Sequence, residues 1–83
     1  MSRLVQIYRS SRRDGMYLYV DASEDLARVP EALMKSFGRP VAAMSLPLTG
    51  DRQLARADAA AVLRNIEECG FYLQMPPSAD EHS

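Results

Sequence analysis

The chain has 83 residues, of which 47% are hydrophobic and 25% are charged, and its formal net charge is -1. This length allows one domain with one modest core, and a charge near zero gives the chain no general attraction to nucleic acid or to anionic membranes. Cys69 is the only cysteine, which excludes an internal disulfide, and no apolar run approaches the ~18 residues of a membrane span, so a cytoplasmic protein is expected.

The first two predicted strands form a β-hairpin. Apolar and polar residues alternate over residues 4–8 and again over residues 16–20, which is the period of a strand. Asp14 and Gly15 lie between them and favour a turn, because glycine tolerates a positive φ and aspartate can hydrogen-bond the local backbone. The connection exceeds two residues, so a wider or bulged loop is expected.

A first helix is predicted over about residues 30–37. Pro30 suits the first helical position, Gly38 is typical of a helix end, and the residues between them include an apolar face. A weaker capping pattern, in which Asp21 precedes Glu24 by three residues, predicts a short helical turn before this helix.

The second helix is predicted to begin after Asp58, its N-cap, and to end before Gly70. Apolar residues recur in it at spacings of three and four, which is the pattern of a helix that buries one stripe. The residues of this stripe are Ala59, Val62, Leu63, Ile66 and Cys69. A core role is therefore favoured for Cys69 over a role as a reactive thiol.

Two more strands complete the predicted fold. Residues 41–46 are apolar on both sides, which favours an inner strand covered on both faces. Residues 71–75 form a final short strand, and the polar residues 78–83 are expected to form a disordered tail after a single domain over residues 1–77. The order strand, strand, helix, strand, helix, strand predicts an α/β or α+β sheet with helical cover.

A series of short motifs runs in order along residues 8–77. The motifs are Tyr8-Arg9-Ser10-Ser11, Arg13-Asp14, Tyr17-Leu18-Tyr19-Val20, Val29-Pro30-Glu31, Phe37-Gly38-Arg39-Pro40, Gly70-Phe71-Tyr72-Leu73-Gln74 and Pro76-Pro77. The series resembles the YcgL-domain family of small bacterial proteins. The resemblance implies an α/β/α sandwich, one sheet with helices on both faces, and the four strands predicted above would form that sheet in ββαβαβ order. It implies no enzymatic activity, cofactor or ligand, and therefore no functional residues to carry over.

Neither a catalytic site nor a metal site is predicted. The only histidine, His82, lies in the expected tail, which could not hold a general base within hydrogen-bonding distance of a substrate. One cysteine and one tail histidine also make a zinc site implausible. Aspartates occur at predicted turns and caps, where a local structural role is favoured over paired acid–base or Mg²⁺ chemistry. These aspartates are Asp14, Asp21, Asp51 and Asp58.

The hairpin gathers positive charge and aromatic rings, which makes it the candidate binding site. Its candidate residues are Arg9, Arg12, Arg13, Tyr17 and Tyr19. Arginines on a turn can bind carboxylates or phosphates with two hydrogen bonds each, although a solvated loop is the alternative. Tyr8 and Tyr72 are expected to share one sheet face with Tyr17 and Tyr19. If that face is exposed, it would resemble the aromatic platforms on which single-stranded RNA binders stack bases. If a helix covers it, the tyrosines would form a half-buried layer.

Two functions follow from these patterns. A non-catalytic protein-interaction module with an unidentified protein partner is favoured, because the first twenty residues are basic and the remainder is net acidic. The alternative is an RNA-associated accessory protein that uses the tyrosines and arginines of the hairpin; nucleic acid is the less favoured partner. Neither a membrane nor a cofactor is expected.

Overall fold

The computed structural model describes residues 3–51 and 58–76, and the predicted tail over residues 78–83 lies outside them. A mixed α/β class is confirmed, since the described residues contain four strands in one antiparallel sheet and two helices. In chain order the elements are β1 (Arg3–Ser10), β2 (Tyr17–Asp21), α1 (Glu31–Phe37), β3 (Pro40–Leu48), α2 (Ala59–Cys69) and β4 (Phe71–Gln74).

The sheet has the strand order β3-β1-β2-β4, and every neighbouring pair is antiparallel. The predicted hairpin is confirmed: β1 pairs with β2 in the register that places Tyr8 opposite Leu18. The chain closes this hairpin through a hydrogen bond from the Ser10 N–H to the Met16 carbonyl, which leaves a five-residue loop over residues 11–15. The expectation of a loop wider than two residues is therefore confirmed.

The prediction that the third strand is an inner strand is wrong. β3 lies at the edge of the described sheet and pairs only with β1, and Ala42, Ala43 and Met44 are exposed. Small and flexible apolar residues tolerate exposure, so a run apolar on both sides does not require burial. Pro40 and Pro47 lie within the strand and fit an edge, because proline cannot donate a ladder hydrogen bond.

The first helix agrees with its prediction to within one residue. Pro30 is its extended N-cap and the Gly38 N–H donates to the Met34 carbonyl at 2.9 Å, which ends the helix. The short helical turn predicted before it is instead a run of turns. Asp25 explains the difference, because its φ of 54° lies outside the helical region and interrupts any helix there.

The second helix has its predicted ends. The Asp58 carboxylate accepts a hydrogen bond from the Ala60 N–H at 3.2 Å, and Gly70 ends the helix in the left-handed conformation. The predicted burial of Cys69 is wrong, because this side chain is exposed. It is the last helical residue and at 100° per residue it falls toward the margin of the stripe, while the next residue, Gly70, takes the buried place.

The core consists of two hydrophobic clusters, and each helix contributes its buried residues to one of them. The buried residues of the first cluster are Val5, Ile7, Tyr19, Leu48, Ala59, Val62 and Ile66. Those of the second are Met16, Leu18, Val20, Val29 and Phe37. Side chains alternate between the two faces of a sheet, so β2 supplies Tyr19 to the α2 cluster and Leu18 and Val20 to the α1 cluster.

Candidate functional site

The hairpin loop is fixed by one buried serine. The Ser10 hydroxyl donates to the Phe37 carbonyl at 2.5 Å, and its oxygen accepts hydrogen bonds from the backbone N–H groups of Arg12 at 3.0 Å and Arg13 at 2.9 Å. Ser10 is only 7% exposed. A serine side chain that binds the N–H groups two and three residues later stabilises a local turn. The hydroxyl therefore joins the start of the loop to the last residue of α1.

The other side of the loop is a β-turn over residues 13–16. The Met16 N–H donates to the Arg13 carbonyl at 3.3 Å, and Gly15 has a φ of 86° in the third position of the turn. This position favours glycine, because a Cβ there would crowd the backbone. The turn predicted from Asp14 and Gly15 is thus confirmed.

The arginine loop, which we define as residues 9–13, carries three exposed guanidinium groups. They belong to Arg9, Arg12 and Arg13. Ion pairs in the described parts of the chain join Arg3 to Asp21 at 2.8 Å and Arg28 to Glu24 at 3.6 Å, and none of them involves the arginine loop.

The stem of Arg12 lies against Gly38, the residue that ends α1. A Cβ built on Gly38 would be 2.5 Å from the Arg12 Cγ and 2.9 Å from its Cδ, so only glycine leaves room for this stem. The negative end of the α1 dipole is at the same place and favours a nearby cation. Arg12 is therefore held by packing as well as by its backbone.

The prediction that the four tyrosines share one face is wrong. Cross-strand register places Tyr17, Tyr19 and Tyr72 on the face of the α2 cluster, whereas Tyr8 lies opposite Leu18 on the face of the α1 cluster. Tyr8 precedes Tyr17 by nine residues, and the five-residue loop reverses the chain between them. The spacing of two residues along the chain therefore does not predict whether they share a sheet face when the loop lies between them.

The tyrosines on the α2 side are a packed layer. Tyr19 is only 6% exposed and donates to the Gln74 side-chain carbonyl at 2.8 Å. Its ring packs edge-on against Tyr72, with ring centroids 5.6 Å apart, and both Tyr17 and Tyr72 are half-buried. Burial raises the pKa of the Tyr19 phenol. Of the predicted site residues, Arg9 and Tyr17 lie side by side in register, and Tyr19 is covered.

Tyr8 has a separate environment on the other face. Its hydroxyl donates a hydrogen bond to the Asp25 carboxylate, and this bond, together with burial and the negative charge, raises the pKa of Tyr8 to about 12. The bond connects the middle of β1 to the run of turns that follows β2.

A groove of about 680 Å³ lies at the end of the sheet away from the arginine loop, between the β1–β2 end and α2. It contains the Arg3–Asp21 ion pair and is bordered by Leu63 and Glu67. Hydrogen bonds from the Ser23 hydroxyl and N–H, with a smaller contribution from Arg3, lower the pKa of Asp21.

Over residues 3–51 and 58–76, no three histidine, cysteine, aspartate or glutamate side chains come together as a metal site. Within the same residues, no helix has both the length and the apolar character needed to cross a membrane.

The sequence did not identify two residues that organise the site, Ser10 and Gly38. The sequence contains a signal for Ser10, because a serine just before a turn often accepts hydrogen bonds from the backbone N–H groups two and three residues later. The sequence indicates Gly38 only as a helix end. Its contact with Arg12 joins residues 26 positions apart and had no signal in the sequence.

Comparison with known proteins places the chain in a family. The family model described as the YcgL domain matches residues 5–77. YcgL domain-containing proteins of Pseudomonas paraeruginosa and Stutzerimonas stutzeri are each 55% identical to it over 82 residues, which cover 99% of this chain and 84% of theirs. The Hahella chejuensis relative is 50% identical over 80 residues, covering 96% of this chain and 76% of its own. The chain therefore belongs to the YcgL domain family.

Proposed function

We propose that this domain is a non-catalytic, cytoplasmic protein-interaction module that binds an acidic segment of a partner protein through Arg9, Arg12 and Arg13. The observation that carries the proposal is a loop whose backbone is fixed by Ser10 while its three guanidinium groups stay exposed and outside the ion pairs of the described residues.

The chemistry of the loop suits carboxylates. A guanidinium group is planar and presents paired N–H donors that match the two oxygens of a carboxylate. Binding costs less entropy when the receptor is already ordered, and the Ser10 bonds and the Arg12–Gly38 contact supply that order here. Tyr17, half-buried beside Arg9, adds an apolar contact at the edge of the loop.

The proposal assumes the α/β/α sandwich that the family resemblance implies. Its support is the separation of the two hydrophobic clusters, since Ala59, Val62 and Ile66 of α2 lie in one and Phe37 of α1 lies in the other. With both faces of β2 covered in this way, the proposal places the partner on the exposed arginine loop.

RNA association is the alternative function, and the tyrosine layer argues against it. Single-stranded RNA binders stack bases on exposed aromatic faces. Tyr19 is buried and its hydroxyl is used by Gln74, and Tyr8 lies on the other face. The arginines alone could still contact phosphates, so the test must separate protein from RNA.

The test is a pull-down with the tagged domain from a lysate of its native host, with and without nuclease, followed by affinity measurements on the purified partner. We expect capture to survive nuclease treatment. We expect Arg12→Glu with Arg13→Glu to weaken binding roughly tenfold or more, because two attractive contacts become repulsive. The melting temperature should fall only slightly, since both side chains are exposed and glutamate retains the Cγ that lies against Gly38.

Arg13→Glu is also measured alone, and Arg64→Glu on α2 is its matched control, because both residues are exposed and both changes alter the charge equally. Unchanged partner binding in the double variant would refute the proposal. Capture that nuclease abolishes would favour the RNA alternative. Loss of folding in the double variant would show that the two arginines are structural.

A further inference from the structure

The end of the sheet that carries the arginine loop also contains the start of β3. Ser10 lies opposite Pro40 in the pairing of β1 with β3, so Arg39, which directly precedes β3, lies at this end and is exposed. With the three arginines of the arginine loop, this makes four exposed guanidinium groups. The hairpin loop also carries one carboxylate, that of Asp14, so four positive charges against one negative leave a formal charge of +3. Such a concentration of positive charge attracts anions.

The last strand finishes at this same end of the sheet. β4 runs antiparallel to β2, and its last residue, Gln74, lies opposite Tyr17, the first residue of β2. Tyr17 also lies opposite Arg9 of β1, so Gln74, Tyr17 and Arg9 form one row across three neighbouring strands. Strands in a sheet are about 4.8 Å apart, which places the Cα atoms of Gln74 and Arg9 roughly 10 Å apart.

The chain that follows β4 carries the opposite charge. The structure describes it as far as Pro76, and the residues that follow, 77–83, are here called the acidic tail, because they contain Asp80 and Glu81 and no lysine or arginine. Four residue steps separate Pro76 from Asp80. Four steps can span up to about 14 Å, which exceeds the row of roughly 10 Å between Gln74 and Arg9. A tether this short gives the two carboxylates an effective concentration in the mM range at the arginine loop.

We infer that Asp80 and Glu81 bind the arginine loop of their own chain and compete there with an anionic partner. Each carboxylate accepts hydrogen bonds from a guanidinium group, whose paired N–H donors match its two oxygens. The guanidinium groups are exposed, and salt screens exposed ion pairs, so the contact is weak and reversible. The contact does not depend on the proposed function, whereas the competition with a partner rests on it.

A reversible contact of this kind lowers the affinity of the arginine loop for other anions. A ligand that requires a free loop binds with an apparent affinity reduced by the fraction of molecules in which the loop is free. If the acidic tail occupies the loop for about half to four-fifths of the time, removing its charges raises the affinity for a competing anion about twofold to fivefold. Salt near ~1 M should abolish this difference, because charges are then screened over about 3 Å.

Nuclear magnetic resonance of the full chain at low salt tests the contact. A spin label on Ser83→Cys, in a Cys69→Ser background, broadens the signals of nearby amides, and the exposure of Cys69 lets its replacement keep the fold. We expect the label to broaden the amide signals of the arginine loop. Asp80→Asn with Glu81→Gln, the neutral-tail variant, removes both charges and keeps the side-chain shapes, so most of this broadening should be lost.

Glu67→Gln with Glu68→Gln on α2 is the matched control, because it also removes two adjacent carboxylates, and both residues are exposed. This control should leave the broadening unchanged. Competition is measured with fluorescein-labelled hexaglutamate as the anionic probe. The neutral-tail variant should bind the probe about twofold to fivefold more tightly than the wild-type chain, and the control should bind it like the wild-type chain.

Three results separate the possible outcomes. Broadening of the arginine loop that is the same in the neutral-tail variant would overturn the inference, and so would broadening that grows with protein concentration, because it would come from a second chain. Equal affinities of the wild-type chain and the neutral-tail variant for hexaglutamate would overturn the competition. If neither protein binds hexaglutamate while the broadening depends on the tail charges, the proposed function fails and the tail contact stands.

Discussion

Ser10→Ala is the substitution that most directly tests how the arginine loop is held. It removes one oxygen atom from a buried position and leaves the backbone and the Cβ in place. Three partners lose their hydrogen bond: the Phe37 carbonyl, the Arg12 N–H and the Arg13 N–H. The first bond is buried, whereas the other two are partly accessible to water.

The expected cost follows from the burial of these three groups. A buried acceptor left without a donor costs about 1–3 kcal/mol, and two partly accessible N–H groups that can turn to water cost about 0.5 kcal/mol each. The free energy of unfolding should therefore fall by about 2–4 kcal/mol. A domain of this length has a total of only about 4–12 kcal/mol, so the loss is large enough to lower the melting temperature by at least about 8 °C.

Urea denaturation of the wild-type chain and the Ser10→Ala variant measures this difference. Ser11→Ala is the matched control: Ser11 is exposed, and its hydroxyl makes no hydrogen bond among the described residues, so a change within about 0.5 kcal/mol is expected. Faster hydrogen exchange of the Arg12 and Arg13 amides in Ser10→Ala would locate the effect in the loop. A loss in Ser10→Ala no larger than that of the control would refute the role given to Ser10.

Two further predictions concern the surroundings of the loop and of Tyr8. Gly38→Ala should destabilise the domain by about 1–3 kcal/mol in thermal or urea unfolding, because Gly38 has a φ of 81° and a ψ of -160° and a Cβ would meet the Arg12 stem. Gly50→Ala, with open space around it, should be neutral or stabilise by up to about 1 kcal/mol. The bond to Asp25 raises the pKa of Tyr8 to about 12 from 10.0, so its stabilisation is present below pH 10 and lost as the pH rises toward 12. Between pH 10 and pH 12, the urea midpoint of unfolding should fall less steeply with pH in Tyr8→Phe than in the wild-type chain. Equal slopes in the two proteins would contradict this.

Local signals in the sequence predicted the elements of the fold well. The hairpin, α1 and α2 each had agreeing signals: alternation or apolar spacing, and a turn or cap residue at each end. Strand order had no local signal, because the place of β3 depends on which neighbours it finds in space. The apolar stretch over residues 41–46 therefore predicts an inner strand, whereas Pro40 and Pro47, which lie within β3, fit the edge that it occupies.

The candidate site was predicted in part, for the same reason. Arg12 and Arg13 could be found because charge and turn residues are visible along the chain. The partners that fix them, Phe37 and Gly38, come from a helix about 25 residues later. Only the folded chain brings these residues together, and the face of each tyrosine depends in the same way on how the hairpin loop reverses the chain.

The contacts at the end of α1 also connect stability to the proposed binding function. A helix of seven residues is too short to be stable alone, so its last turn depends on neighbours. Ser10 binds the carbonyl of its last residue, and the Arg12 stem covers the glycine that ends it. The hairpin loop and the end of α1 therefore form one structural unit. It follows that Ser10→Ala should reduce stability and partner binding together, whereas Arg13→Glu, an exposed change outside these contacts, should reduce binding alone.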